Sequence, residues 1–433
     1  MITAHRFIME VLWSLREEVD IANSNQRFHK PFFVEYCLVI YTYLVTSGAF
    51  IPLFYSMRHP SADFISIVYS MIPFFYVSYV ATLILMILRV KLILSKIRHV
   101  WPISMFLIWS CISLLWAVDP SVTLTKLIIL LGATVVGIYI GSVFNQREQI
   151  NLLFITLMIA LACSVVFVLI SPEYGIMTGY HAGNWRGVFY HKNTFGKLVV
   201  LFAVLGAILI CQAETLRKRL ALTIALISSA LLVWLSDSAV SKVITIAMLF
   251  LFILLMFQIK NKQVLVPIWS SATALVLGMG LLLAGNLHVV FAALGRSPNL
   301  TGRVPLWEAL IPMIQSRLWL GYGYGSFWLG NRWPSSAIWN QIGWYPFHAH
   351  NGFLEILIDL GLVGLAFFLI SYSIISLTAV RRLFVVRYIG HIYRLWPLLY
   401  LCFLFLANLT ESTLIWYYPF YWILYVALFL TKD

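Results

Sequence analysis

Long apolar stretches of similar length dominate the chain and are separated by short polar segments. A helix crosses a bilayer core with about 20 consecutive apolar residues, so the pattern predicts about twelve transmembrane helices. Backbone groups inside lipid must be hydrogen-bonded within the chain, which favours helices over open strands. The predicted runs are 32–55, 63–88, 100–117, 123–143, 150–171, 194–212, 219–236, 239–258, 264–290, 350–378, 393–410 and 412–430.

Two longer polar segments, about 172–193 and 291–347, interrupt this pattern. In the second, residues 305–316 show apolar side chains at helical spacing, and Pro305 suits a first helical turn. The sequence GYGYG at 321–325 then predicts a tight turn, because glycine adopts backbone angles that other residues avoid. The second segment is therefore expected to be a partly helical loop with a structure of its own.

The composition agrees with a membrane protein: 62% of residues are hydrophobic and only 10% are charged, whereas soluble domains have about 25% charged residues. We predict an all-α polytopic membrane protein with a single membrane domain over 32–433. Residues 1–31 form a separate cytoplasmic segment, in which apolar residues recur at helical spacing. This segment is expected to be an amphipathic helix on the inner membrane surface, with a cytosolic helix packed on the loops as the alternative.

The formal net charge of +13 is explained by membrane orientation and not by a nucleic-acid partner. If the N-terminus is cytoplasmic, the segments predicted to be cytoplasmic hold 19 of the 29 basic residues. Such a bias fixes orientation in multi-spanning proteins. It places both termini inside and both long polar segments outside.

The two outer segments are rich in cations and poor in acids. Their only acids are Glu173 and Glu308, and their basic residues are Arg186, Lys192, Arg296, Arg303, Arg317 and Arg332. A Mg²⁺ or Mn²⁺ site for phosphate chemistry needs clustered carboxylates, whereas guanidinium groups bind phosphate directly. We therefore expect an anionic phosphate substrate bound without a metal or other cofactor. A lipid headgroup contact or a structural ion pair is the alternative for any single arginine.

Histidine accepts protons near neutral pH, and His350 lies at the start of an apolar run beside Asn351, which could orient it. His348, two residues earlier, is the competing candidate. Aromatic residues crowd the second loop, among them Tyr322 and Tyr324, and could stack on sugars or form an interfacial belt. Ionisable residues in or near the apolar runs indicate either function or ion pairing; they are Lys197, Asp237, Lys242, Glu355, Asp359 and Glu411.

Several of these residues lie in motifs that resemble those of the O-antigen ligase and polymerase superfamily. The resembling segments are WRGVFYHKN at 185–193, LTGRVPLW at 300–307, LGYGYGSFW at 320–328 and HNGFLE at 350–355. The segment NLTES at 408–412 is similar to that of ExoQ-like exopolysaccharide polymerases. The resemblance covers about residues 100–430. One departure is the segment 236–242, which lacks the arginine and threonine that the family often has there.

The resemblance implies a GT-C-like glycosyltransferase that works without metal on the extracytoplasmic face of the bacterial inner membrane. Such enzymes move a glycan from undecaprenyl pyrophosphate to a hydroxyl acceptor. His350 matches the family's base, and Arg186 and Arg303 match its pyrophosphate-binding arginines. The further candidates for substrate binding are Lys192, Asn193, His348, Asn351, Tyr322, Tyr324, Arg296 and Glu411.

Three functions compete at this point. A repeat-unit polymerase would use a second lipid-linked glycan as acceptor, and a ligase would use lipid A core or a protein. A transporter or flippase would perform no chemistry, but transporters place polar groups near the membrane midplane and contain repeats, which this sequence does not show. The ExoQ-like ending favours the polymerase. Its expected partners are the lipid-linked donor, a glycan or lipid acceptor, membrane lipid and a chain-length regulator.

Overall fold

The computed structural model describes residues 31–59, 64–260, 302–383, 389–414 and 418–431. This part of the chain is helical, with isolated β-bridges between Ala49 and Phe189 and between Ile176 and Trp185. The all-α prediction is therefore confirmed for the described residues. The predicted N-terminal amphipathic helix, the apolar run 264–290 and Arg296 lie outside them.

The helices of the described ranges are numbered here in chain order. They are α1 Phe33–Thr46, α2 Ile51–Arg58, α3 Phe64–Tyr69, α4 Ile72–Leu88, α5 Val90–Lys96, α6 Trp101–Ile112, α7 Pro120–Val143, α8 Gln146–Ile170, α9 Pro172–Gly175, α10 Lys192–Cys211, α11 Leu216–Ser236, α12 Ala239–Lys260, α13 Arg303–Ser316, α14 Ser335–Ile342, α15 Gly352–Leu383, α16 Trp396–Asn408 and α17 Phe420–Leu430.

Eight helical stretches of the described chain are long and apolar enough to cross a membrane. They are Ser66–Leu88, Val90–Leu115, Pro120–Val143, Gln146–Ile170, Lys192–Cys211, Leu216–Ser236, Ala239–Ile259 and Gly352–Leu383. Three more of the predicted runs contain α1, α16 and α17, which have 14, 13 and 11 residues. These helices are shorter than the roughly 20 residues of a full span. Eight of the twelve predicted runs thus correspond to helices that are long and apolar enough to cross a membrane.

Helix α10 lies at the centre of the bundle, and most of its side chains are buried. It packs against α8, α11, α12 and α16. Small residues let a second pair of helices, α7 and α17, approach closely. A Cβ atom added at Gly141 of α7 would lie 2.5 Å from the carbonyl oxygen of Ala427 in α17. This close packing fixes α17 against α7. The segment just before α17 lines a cavity at the end of the helix bundle.

The described part of the second polar segment folds around a small apolar core of its own. The helix predicted over 305–316 is confirmed as α13, and its buried face packs with the turn at 321–325 and with α14. The turn reaches into the membrane domain. There the N–H of Gly325 donates to Oδ2 of Asp359 at 2.7 Å, and its carbonyl oxygen accepts from Nζ of Lys126 at 2.9 Å. Spans α7 and α15 therefore hold the loop in place above the start of α15.

Candidate active site

A cavity of about 500 Å³ lies where the starts of α10, α12 and α13 meet the segments before α15 and α17. This is a typical volume for a small-molecule site. Its wall is formed by His181, Tyr190, His191, Lys192, Asn193, Thr194, Lys197, Asp237, Ala239, Val240, Arg303, Trp344, Tyr345, Pro346, Phe347, His348, His350, Glu411, Ser412, Thr413, Tyr418 and Tyr421. The cavity therefore collects residues from both predicted outer segments and from the NLTES segment.

The carboxylate of Glu411 is the point at which these segments meet. Its Oε1 accepts hydrogen bonds from Nη2 of Arg303 at 2.6 Å and from Nδ2 of Asn193 at 3.0 Å. Nδ1 of His350 lies 3.5 Å from the same oxygen, too far for a strong hydrogen bond. One buried acid thus brings together Asn193, Arg303 and His350, although Asn193 and His350 are more than 150 residues apart in the sequence.

A polar turn after α16 holds Glu411 in this position. The N–H of Glu411 donates to the carbonyl oxygen of Ala407 at 3.0 Å. Oδ1 of Asn408 accepts from the backbone N–H groups of Thr413 at 3.0 Å and of Leu414 at 3.1 Å. Asn408 therefore satisfies buried backbone donors that have no helical partner, and it fixes the direction in which Glu411 points.

The charge state of Glu411 follows from its neighbours. Burial alone would raise the pKa of this carboxyl group, but the neighbouring side chains of His350, Arg303 and Lys197 more than compensate. The net result is a pKa well below the usual value of a glutamic acid. Glu411 is therefore an anion at neutral pH and can stabilise a positive charge on His350.

The His348-Ala349-His350 loop is fixed through its backbone. The N–H of His350 donates to Nδ1 of His348 at 3.0 Å. The N–H of Ala349 donates to Oε2 of Glu355 at 2.7 Å, and the Ala349 carbonyl oxygen accepts from Nε1 of Trp307 at 2.8 Å. His350 has a left-handed backbone with φ of 50°, which is uncommon for a residue with a side chain and is concentrated at functional sites.

The two histidines differ in their surroundings. Burial, reinforced by the neighbouring imidazole of His350, holds the pKa of His348 well below its ordinary value, so His348 is neutral. Its Nδ1 is already engaged by the backbone of His350. His350, by contrast, lines the cavity with a side chain that is 20% exposed, against 9% for His348, and its Nδ1 faces the carboxylate of Glu411 at 3.5 Å. The geometry favours His350 over His348 as the proton acceptor.

A second group of charges surrounds Asp237, which also lines the cavity. Nζ of Lys192 donates to the carbonyl oxygen of Asp237 at 3.1 Å, and Nζ of Lys242 forms an ion pair with its Oδ1 at 2.6 Å. Asp237 also has a left-handed backbone, with φ of 45°. The family motifs assigned no role to the segment 236–242, which contains Asp237. This segment nevertheless lies beside Lys192, a predicted substrate-binding residue. The sequence signal for Asp237 and Lys242, an ionisable residue in or near an apolar run, left function and ion pairing open.

Of the predicted residues, His350, Arg303, Lys192, Asn193, His348 and Glu411 line the cavity. Arg186 does not. Its Nε donates to the carbonyl oxygen of Tyr174 at 2.7 Å and its Nη1 to that of Tyr190 at 3.4 Å. Tyr190 lines the cavity. Arg186 therefore contacts the cavity wall through its hydrogen bond to Tyr190, and its own guanidinium group does not line the cavity.

Asn351 and the two loop tyrosines also lie away from the cavity wall. Oδ1 of Asn351 accepts from the N–H groups of Phe353 at 3.0 Å and Leu354 at 3.1 Å, so this side chain caps α15 and does not orient His350. Tyr322 is buried in the loop core, where its hydroxyl donates to the carbonyl oxygen of Met313 at 3.0 Å. Tyr324 is buried beside a smaller cavity of about 40 Å³. The expected stacking of these tyrosines on sugar therefore does not fit their placement.

One group of described residues has the ligand types of a metal site. His348, His350 and Glu411 each offer one ligand atom, and these atoms lie within 4.8 Å of one another. However, Oε1 of Glu411 is already bound by Arg303 and Asn193, and Lys197 adds a further positive charge to the same wall. Adjacent cations oppose the binding of a divalent metal ion. The charge distribution suits an anionic ligand better than a metal.

The fold and the site together are those of a multi-pass helical membrane protein with a cavity lined by ionisable side chains, among them Arg303, His350 and Glu411. The family described as O-Antigen ligase has a sequence model that matches residues 222–369. The matched residues include Arg303 and His350, whereas Glu411 lies beyond them.

A search of characterised proteins found the exopolysaccharide production protein ExoQ of Rhizobium meliloti (strain 1021). It is 26% identical over 285 residues, which cover 64% of this chain and 64% of that protein. The alignment thus spans somewhat less than two thirds of the relative. Together the two matches confirm the resemblance to the O-antigen ligase and polymerase superfamily that the motifs predict.

Proposed function

We propose that this protein is a metal-independent glycosyltransferase that polymerises undecaprenyl-pyrophosphate-linked oligosaccharide repeat units on the extracytoplasmic face of the bacterial inner membrane. The observation that carries the proposal is the convergence of Arg303 and His350 on the ionised carboxylate of Glu411 in one cavity. Such a transfer requires a base that is held beside a fixed anion. It also requires a cation that binds phosphate.

In the proposed reaction His350 accepts the proton of the acceptor hydroxyl group. The hydroxyl oxygen attacks the anomeric carbon of the donor sugar, and the bond from that carbon to the pyrophosphate oxygen breaks. The leaving pyrophosphate keeps the electron pair. A positioned base contributes roughly 10²- to 10⁴-fold to such a rate. The carboxylate of Glu411 stabilises the imidazolium that His350 becomes.

Arg303 and Lys192 stabilise the charge that develops on the leaving group. Removing one preorganised electrostatic contact of this kind costs about 3 kcal/mol in the barrier. In the structure Arg303 is paired with Glu411, so we propose that the pyrophosphate draws the guanidinium group away on binding. Arg186 supports the site by holding the carbonyl oxygen of Tyr190. A direct contact between Arg186 and pyrophosphate stays a prediction, since its present hydrogen bonds would have to be exchanged.

The ligase reaction is the second candidate, because the matching family is described by that activity. The similarity to an exopolysaccharide production protein favours the polymerase. In both reactions the donor and the catalytic groups are the same, and only the acceptor differs. The acceptor decides between them.

The decisive experiment gives the purified protein a defined lipid-linked repeat unit in the presence of EDTA and separates the products on a gel. A ladder of products is expected for a polymerase. A single transfer to added lipid A core would identify a ligase, and unchanged starting material would fit a transporter. The variant Arg303→Ala should abolish the ladder while its amount in the membrane stays normal. Loss of activity on adding EDTA would contradict the metal-independent scheme.

A further inference from the structure

Lys197 lies inside the membrane span α10, yet its side chain lines the 500 Å³ cavity. The residue is only 7% exposed. It falls outside the motif at 185–193, about 1.4 helical turns beyond Lys192, and the family resemblance assigns it no role in the reaction. A lysine at such a depth is costly for a membrane protein unless it has a partner or a function.

The ammonium group of Lys197 has few partners. Nζ donates to Oγ1 of Thr413 at 3.1 Å and lies 5.8 Å from the ring centre of Tyr421. No carboxylate oxygen of the described residues lies within ion-pair distance of it. An ammonium group carries three donors, so the hydroxyl of Thr413 satisfies only part of its capacity.

The other cations of the cavity wall are neutralised by acids of the protein. Arg303 is paired with Glu411 at 2.6 Å, and Lys192 lies 4.0 Å from the carboxylate of Asp237. Lys197 is therefore the cation of the described wall that is left without an ion pair. A buried charge of this kind is expensive to maintain, and a substrate anion would supply the missing partner.

We propose that Lys197 is the primary binding group for the diphosphate of the lipid-linked substrate. This inference rests on the proposed function and deepens it. The diphosphate would bind the donors of Lys197 that Thr413 leaves unused. Arg303 would join it only after leaving Glu411. Arginine contacts alone would then not account for binding of the substrate.

The test measures how tightly undecaprenyl pyrophosphate binds to the purified full chain in detergent. The variants are Lys197→Met, which removes the charge, Lys197→Arg, which keeps it, and Lys197→Gln, which keeps a donor for Thr413. Lys96→Met is the matched control, because Lys96 lies at the end of α5 and donates to the carbonyl oxygen of Ser142, away from the cavity. Undecaprenol, which has no phosphate, reports binding of the lipid tail alone.

We expect at least tenfold weaker binding of undecaprenyl pyrophosphate to Lys197→Met and Lys197→Gln, partial recovery in Lys197→Arg, and wild-type binding in Lys96→Met. In the transfer assay KM for the donor should rise more than kcat falls. Wild-type affinity in Lys197→Gln would overturn the inference, as would an equal loss of undecaprenol binding, which would show a structural role. Failure of the wild-type protein both to bind and to transfer would instead refute the proposed function itself.

Discussion

At the scale of single residues, His350 combines three properties of a general base. Its backbone is held in a left-handed conformation, its N–H is tied to His348, and its side chain lines the cavity beside the carboxylate of Glu411. The strain is maintained by contacts from Trp307 and Glu355 to the residue before it. Such a fixed ring can accept a proton without first breaking another bond.

Replacing His350 by alanine should therefore reduce the initial rate of glycan transfer by roughly 10²- to 10⁴-fold at neutral pH, because the acceptor hydroxyl loses its base. Initial rates with a lipid-linked repeat unit measure the effect. His99→Ala is the matched control, since His99 is exposed in the turn between α5 and α6. A wild-type rate in His350→Ala would exclude His350 as the base.

A second prediction at this scale concerns His191. Burial, partly offset by Glu411, lowers its pKa from an ordinary 6.5 to about 4. The unfolded chain therefore binds a proton between pH 6.5 and about 4 while the folded protein does not. Stability from this group is complete above pH 6.5 and is lost as the pH falls towards 4. The loss should be on the order of 1–3 kcal/mol.

Melting temperatures of the detergent-solubilised protein at pH 7, 6, 5 and 4.5 test this prediction. Nδ1 of His191 accepts the N–H of Asn193 and so caps α10. His191→Asn keeps an acceptor at this position but cannot titrate, so its melting temperature should fall less steeply below pH 6.5. Equal slopes for the variant and the wild type would show that His191 contributes nothing to the pH dependence.

At the scale of elements, the junction where the start of α15 contacts the end of α16 positions the catalytic groups. A Cβ atom built on Gly352 would lie 1.9 Å from Oδ1 of Asn408, the same atom that holds the turn carrying Glu411. In the same junction Oε2 of Glu355 accepts from both Ala349 and Ser412. The start of α15 thus aligns the histidine loop with the Glu411 turn.

The substitution Gly352→Ala should force these elements apart and destabilise the protein by about 1–3 kcal/mol, the usual cost of overpacking. Its transfer activity should fall as well, although the glycine touches no substrate. Thermal unfolding and transfer rates are the measurements. Gly206→Ala in α10 is the control, because its added Cβ would lie 3.7 Å from Phe154 in ordinary contact. Equal stability of the two variants would refute this account of the junction.

Sequence periodicity predicted the elements better than it predicted side-chain placement. The apolar runs and the helix at 305–316 follow from local patterns, and the described chain contains eight helices long and apolar enough to span a membrane, together with α13. The cap formed by Asn351 and the burial of Tyr322 depend on tertiary packing, which spacing along the chain does not encode. The sequence signal for Lys197 is a charged residue within an apolar run. Its partner Thr413 is more than 200 residues away in the sequence, so local patterns do not predict the contact.

At the scale of the whole molecule, the cavity gathers its wall from one end of the bundle. The starts of α10, α12 and α13 and the segments before α15 and α17 all meet there. The charge bias of the sequence predicts that this end faces away from the cytoplasm. The fold therefore brings together residues from the segments predicted to be outside, whereas the segments predicted to be cytoplasmic, including both termini, hold 19 of the 29 basic residues.

This orientation predicts the labelling of single cysteines introduced into a variant without the native ones. Tyr345→Cys lies in the cavity rim and is well exposed, at 67%, so a membrane-impermeant maleimide should label it in intact spheroplasts. Arg217→Cys, exposed at the start of α11, should react only after lysis, because charged reagents do not cross the hydrocarbon core. Since both sites are accessible in the fold, the difference can only report the side of the membrane. Labelling of Arg217→Cys in intact cells, with protection of Tyr345→Cys, would reverse the topology and place the cavity in the cytoplasm, where a polymerase of exported glycan could not work.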